Sequence, residues 1–124
     1  MKHPEDDIQR ACIMWLEMMR KRGRLEYYAV PNGGKRNAIT GAILKTLGVR
    51  AGVPDLVVLL PGNAASPPKS VYIELKAPGG SLTPGQRDWR DWLTANGFEW
   101  ALCKSVDELS TVVMGVINAR ETWR

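Results

Sequence analysis

At 124 residues, 44% of them apolar, the chain is long enough to bury one hydrophobic core and too short for two, so a single domain over 1–124 is expected. Lys and Arg number 17 against 13 Asp and Glu, and the resulting +4 favours a polyanionic partner. Cys12 and Cys103 make no disulfide framework and lack zinc-site spacing, and no apolar run is long enough for a signal or a membrane span. A cytoplasmic protein is expected.

From Pro4 to about Arg22, Ile8, Cys12, Trp15, Leu16 and Met19 recur at helical spacing, and Gly23 supplies the stop. At 100° per residue Glu5 falls on the same stripe as Cys12 and Leu16, and so is expected to face the core, whereas Asp6, Asp7 and Glu17 point elsewhere. "LEYYAV" (25–30) reads as a strand ended by the turn "PNGG", and residues 38–47 form a short helix before Gly48. "DLVVLL" and "VYIEL" are two strands whose near-continuous apolar character suits a sheet covered on both faces, joined as a hairpin by the Pro-rich "PGNAASPPKS". In "TPGQRDWRDWLTANG", Thr83 is the N-cap, Pro84 the first helical residue, and Gly97 the stop. "FEWALC" is a further strand, and Ser105 with Glu108 offers a capping box to a last helix. The order is α, β, α, β, β, α, β, α, which predicts an α/β fold with a central mixed sheet flanked by helices.

Basic residues gather in the first half: "RKRGR" at 20–24, then Lys35, Arg36, Lys45 and Arg50, with Glu26 the one acid between 20 and 54. This suits contact with a phosphate backbone, and "RKR" equally suits the negative end of a helix dipole.

Residues two apart on a strand share a face about 6–7 Å apart, so Glu74 and Lys76 are neighbours. A hairpin returning from Leu60 to Val71 brings Asp55 level with them. Each piece alone has an ordinary reading, as a solvated pair or a strand start. Together they make two carboxylates and an ammonium at the edge of buried strands, costly unless compensated. Oxygen ligands of this kind suit Mg²⁺ or Mn²⁺, and the set suits phosphodiester hydrolysis. "NGGKRN" lacks the spacing of a phosphate loop, and Trp89, Trp92 and Trp100 are read as core or interface residues.

"GVPD" with Asp55, followed by "IELK" with Glu74 and Lys76, resembles the bipartite motif of the PD-(D/E)xK nuclease superfamily. "EDDIQ" at 5–9, "VPNGG" at 30–34, "GVRAGVPDL" at 48–56 and "LTPGQ" at 82–86 make it similar to the virus-type replication-repair nuclease (VRR-NUC) branch. The resemblance implies a restriction-endonuclease-like core, with a metal held by Asp55, Glu74, the Leu75 carbonyl and Glu5. It also implies Lys76 as catalytic lysine and Gln86 as a residue contacting the site or substrate. Asp7 is the alternative to Glu5.

The expected activity is a Mg²⁺- or Mn²⁺-dependent DNA endonuclease, with Arg22, Lys35, Arg36 and Arg50 on the DNA. The resemblance, together with five tryptophans including Trp123, points to a homodimer cutting four-way (Holliday) junctions in a bacterial or phage-infected cell. The rivals are a DNA-binding module that has lost turnover, a monomeric flap nuclease, and a metal-using small-molecule enzyme.

Overall fold

The computed structural model describes residues 4–31 and 38–122. Lys35 and Arg36, the Asn32–Gly34 part of the expected turn, and Trp123 lie outside them. The first helix, α1, runs Pro4–Lys21, with Glu5, Asp6 and Asp7 in its first turn and Arg20 and Lys21 in its last, each sign opposing the local dipole. Gly23, at φ 73°, closes it: the Gly23 N–H donates to the Arg20 carbonyl and the Arg24 N–H to that of Met19.

Strand β1 (Glu26–Ala29) leads to the short helix α2 (Ala38–Thr46), then β2 (Leu56–Leu60) and β3 (Lys69–Leu75) form the expected hairpin. Arg120 fastens the hairpin loop, donating to the carbonyls of Pro61 and Pro67 at 2.7 and 2.8 Å. Helix α3 (Pro84–Ala95) then crosses to β4 (Glu99–Cys103), which is parallel to β3, and α4 (Val106–Thr122) follows. The sheet order is β1-β2-β3-β4, antiparallel except for the last pair, and so mixed as expected.

Alternation divides the sheet. Leu56, Val58, Leu60, Val71, Ile73, Leu75 and Cys103 pack against Cys12, Leu16 and Met19 of α1 and Leu109, Val113 and Ile117 of α4. On the opposite face α3 covers only part. Leu59 remains 41% exposed, so the apolar run of β2 overstates its burial: α3 lies toward β4 and leaves the β1–β2 side open. Ser105 accepts from the Glu108 N–H at 3.1 Å as expected of an N-cap, but the Glu108 carboxylate takes the Lys104 N–H at 2.9 Å, one residue earlier than a capping box requires.

Candidate active site

The hairpin register pairs Leu56 with Ile73, and one step further sets Asp55 opposite Glu74. The Asp55 carboxylate accepts the Leu75 N–H at 2.8 Å, which anchors the residue just ahead of β2 onto β3. In extended backbone a residue's N–H and C=O point to the same side, so the Leu75 carbonyl also faces Asp55, while the Lys76 N–H turns to the Cys103 carbonyl at 3.1 Å.

Glu74 is 1% exposed, and neither of its carboxylate oxygens accepts a hydrogen bond. Buried polar atoms of this kind are rare and costly. Burial pushes the Glu74 carboxyl up to about 8, helped by the adjacent Asp55 carboxyl and opposed by Lys76. Lys76 is itself 9% exposed, its stem against Gly80. Two acids and one ammonium therefore share a single corner, buried at Glu74 and Lys76 and half-buried at Asp55, and its oxygen donors are of the kind that suits a divalent cation.

Gln86 sits in the first turn of α3, as the sequence places it. Its side-chain oxygen accepts the Thr83 N–H at 2.9 Å while its own N–H donates to the Thr83 hydroxyl at 3.2 Å, a complete capping box that leaves only the amide nitrogen to reach outward. "LTPGQ" thus starts a helix. That helix start is pressed against the loop carrying Asp55: a Cβ on Gly52, whose φ is +81°, would lie 2.7 Å from the Gly85 carbonyl carbon. The Trp89 indole donates to the Ala51 carbonyl at 3.2 Å, and the Arg50 guanidinium stacks over the same ring at 4.8 Å. Two segments more than thirty residues apart in sequence are one structural unit, and the contacts of Gly52, Gly85 and Trp89 are what sequence reading missed. Their signal was a glycine in each motif, legible only once the motifs touch.

Glu5 corrects the wheel argument. Its azimuth matches Cys12, but it is exposed, because it lies seven residues beyond Cys12, about 10 Å along the axis, where α1 has run past the sheet. It stands at the carboxylate end nonetheless: Cys12 lies beside Cys103, next to Leu75, while the C-terminal turn of α1 reaches the Leu60–Lys69 end. Among the described residues no three acids gather closely enough to hold a metal, so Glu5 does not join Asp55 and Glu74 directly. Asp7 is paired with Arg10 at 3.1 Å on the surface.

The basic residues also separate. Arg50 is exposed beside the Asp55 loop, whereas Arg22 follows the C-terminus of α1 at the far end of the sheet, where its neighbour Arg20 is held by Glu17 at 2.6 Å. The dipole reading of "RKR" thus has a structural counterpart in α1. Of the tryptophans, Trp15 packs against the core, Trp89 holds the loop, and Trp92 is 55% exposed, stacked on Phe98.

Residues 3–107 match the VRR-NUC domain family. A solved VRR-NUC domain protein superposes with a TM-score of 0.67 at 22% identity, covering 95% of this chain and 91% of its own. A second VRR-NUC domain gives 0.60 at 15% identity, covering 91% and 97%. At such identities the structural likeness carries the fold alone. No curated protein matches.

Proposed function

Because the chain belongs to the VRR-NUC nuclease family, we propose that it is a Mg²⁺- or Mn²⁺-dependent DNA endonuclease that cuts four-way junctions as a homodimer. The observation that carries the catalytic part is Glu74: a buried, unpartnered carboxylate facing Asp55, with Lys76 beside it. Asp55, Glu74 and the Leu75 carbonyl would hold the metal, and Glu5 would contact it through water. A divalent cation bound there would neutralise charge on the scissile phosphate and lower the pKa of an attacking water.

Lys76 supplies a positive charge one strand step from Glu74, where it orients the nucleophilic water or stabilises the charge developing on the phosphate. In-line attack on phosphorus breaks the bond to the 3′ oxygen and leaves a 3′-hydroxyl and a 5′-phosphate. The capped start of α3, with Gly52, Gly85 and Trp89, keeps the Asp55 loop in register for this step.

One such site cuts one strand, so symmetric resolution of a junction requires two copies, and a two-fold dimer is the simplest way to supply them. The exposed Trp92 and Phe98 are the apolar surface that fits such an interface. Incubating the protein with labelled linear, flapped and four-way DNA, with Mg²⁺, Mn²⁺ or chelator, tests both parts. Metal-dependent paired cuts on the junction by a sedimenting dimer support the reading. A monomer that nicks flaps alone would remove the junction and dimer assignment and keep the catalytic one.

A further inference from the structure

One strand step behind the carboxylates, the same face of the sheet carries a row of a different kind. Tyr28 pairs with Val57, Val57 with Tyr72, and Tyr72 with Trp100, so these four side chains cross the sheet two residues, or about 6–7 Å, from Asp55 and Glu74. Over Tyr28, Val57 and Tyr72 opens a groove of about 570 Å³, walled by Trp89 and Leu93 of α3. Its one charged lining residue among those described is Arg50, the guanidinium stacked on Trp89. Tyr28 is 52% exposed, so an aromatic ring stands open to whatever enters.

We propose that this groove receives an unpaired nucleobase of the DNA, next to the strand held at the catalytic carboxylates. The inference rests on the nuclease reading and deepens it. A base needs a flat apolar slot with aromatic faces and, for the phosphate it carries, a cation at the rim. Tyr28, Tyr72 and Trp89 supply the first and Arg50 the second, with no acid among the described lining residues to repel the backbone. A paired base cannot enter, so the groove selects DNA whose bases are already unstacked, as at a branch point or in a single strand. A second copy of this chain is the other occupant such a surface could take, but the groove's single described charge is a cation beside the catalytic pair, which complements a nucleotide's phosphate.

The test measures binding in chelator, so that it is independent of cleavage. Fluorescence anisotropy would compare a labelled oligothymidine of about a dozen nucleotides with the same backbone made abasic, on the wild-type chain, Tyr28→Ala and Tyr28→Phe. Wild type should bind the base-bearing strand about tenfold more tightly than the abasic one. Tyr28→Ala should lose that preference while keeping the abasic affinity, and Tyr28→Phe should retain it. Equal wild-type affinity for the two strands would overturn the proposal, as would a Tyr28→Ala effect that appears in the sedimentation coefficient and not in the base preference. Failure here with metal-dependent junction cutting intact removes the groove assignment only. Absence of any cleavage with the base preference intact removes the nuclease reading only.

Discussion

On the face of the sheet that meets α1 and α4, Val71, Ile73 and Leu75 of β3 are sealed among aliphatic neighbours, while on the other face Tyr72 and Glu74 of the same strand, with Lys76 just past its end, line a groove and an acid pair. Seven residues serve both purposes because a strand presents alternate side chains to opposite sides. The apolar face gains stability from burial and tolerates no charge. The other face buries a carboxyl group that no hydrogen bond satisfies, and the first face holds it in place. Burial alone therefore does not distinguish core from site here: Ile73 and Glu74 are equally inaccessible, and what separates them is whether the neighbours satisfy the side chain.

The largest expected effects fall on the charged face and leave the fold alone. Asp55→Asn, Glu74→Gln and Lys76→Ala should each lower single-turnover cleavage by about 100-fold or more, with unchanged circular dichroism. Glu74→Gln should also leave the metal-free protein at least as stable as wild type in thermal melts above about pH 8, where the substitution removes a buried charge. The converse holds on the apolar face, where Ile73→Ala should cost about 2–5 kcal/mol in denaturant melts while the folded fraction keeps its cleavage rate.

Titration sharpens the contrast further. The Glu74 carboxyl titrates near 8 in the folded protein, above its ordinary range, so the native state holds that proton more tightly than the unfolded chain. Its contribution to stability is thus complete below about 4.5 and is lost as pH rises to about 8. Metal-free protein should accordingly melt lower at pH 8.5 than at pH 6, and Glu74→Gln should flatten that slope. A slope unchanged by the substitution would assign it elsewhere.

A smaller effect is expected where the start of α3 is tied to the Asp55 loop. Gly52→Ala places a side chain on a positive-φ backbone and against Gly85, and should cost about 1–3 kcal/mol while weakening Mn²⁺ binding through Asp55. Smallest is Arg22→Glu: at the far end of the sheet it should lower DNA affinity less than Arg50→Glu does, measured by anisotropy at low salt.

Much of this was legible before any coordinates. All eight elements follow from period, caps and stops, because each helix and strand carries its own punctuation: Gly23, Gly48 and Gly97 adopt the positive φ that ends their helices. Asp55, Glu74 and Lys76 were readable because the hairpin that joins them is local. Glu5 was misplaced because a helical wheel gives the azimuth and not the height at which a helix leaves the sheet. The union of Gly52 with Gly85, and of Arg50 with Trp89, depends on contact between distant segments, and no periodicity records it.

The account stands most directly on whether the acid pair takes a divalent cation. Calorimetric titration of Mn²⁺ into metal-free protein at pH 7.5 should show binding and a raised melting temperature for wild type, and loss of both in Glu74→Gln. Equal binding by the two proteins, or none by an active wild type, would contradict it.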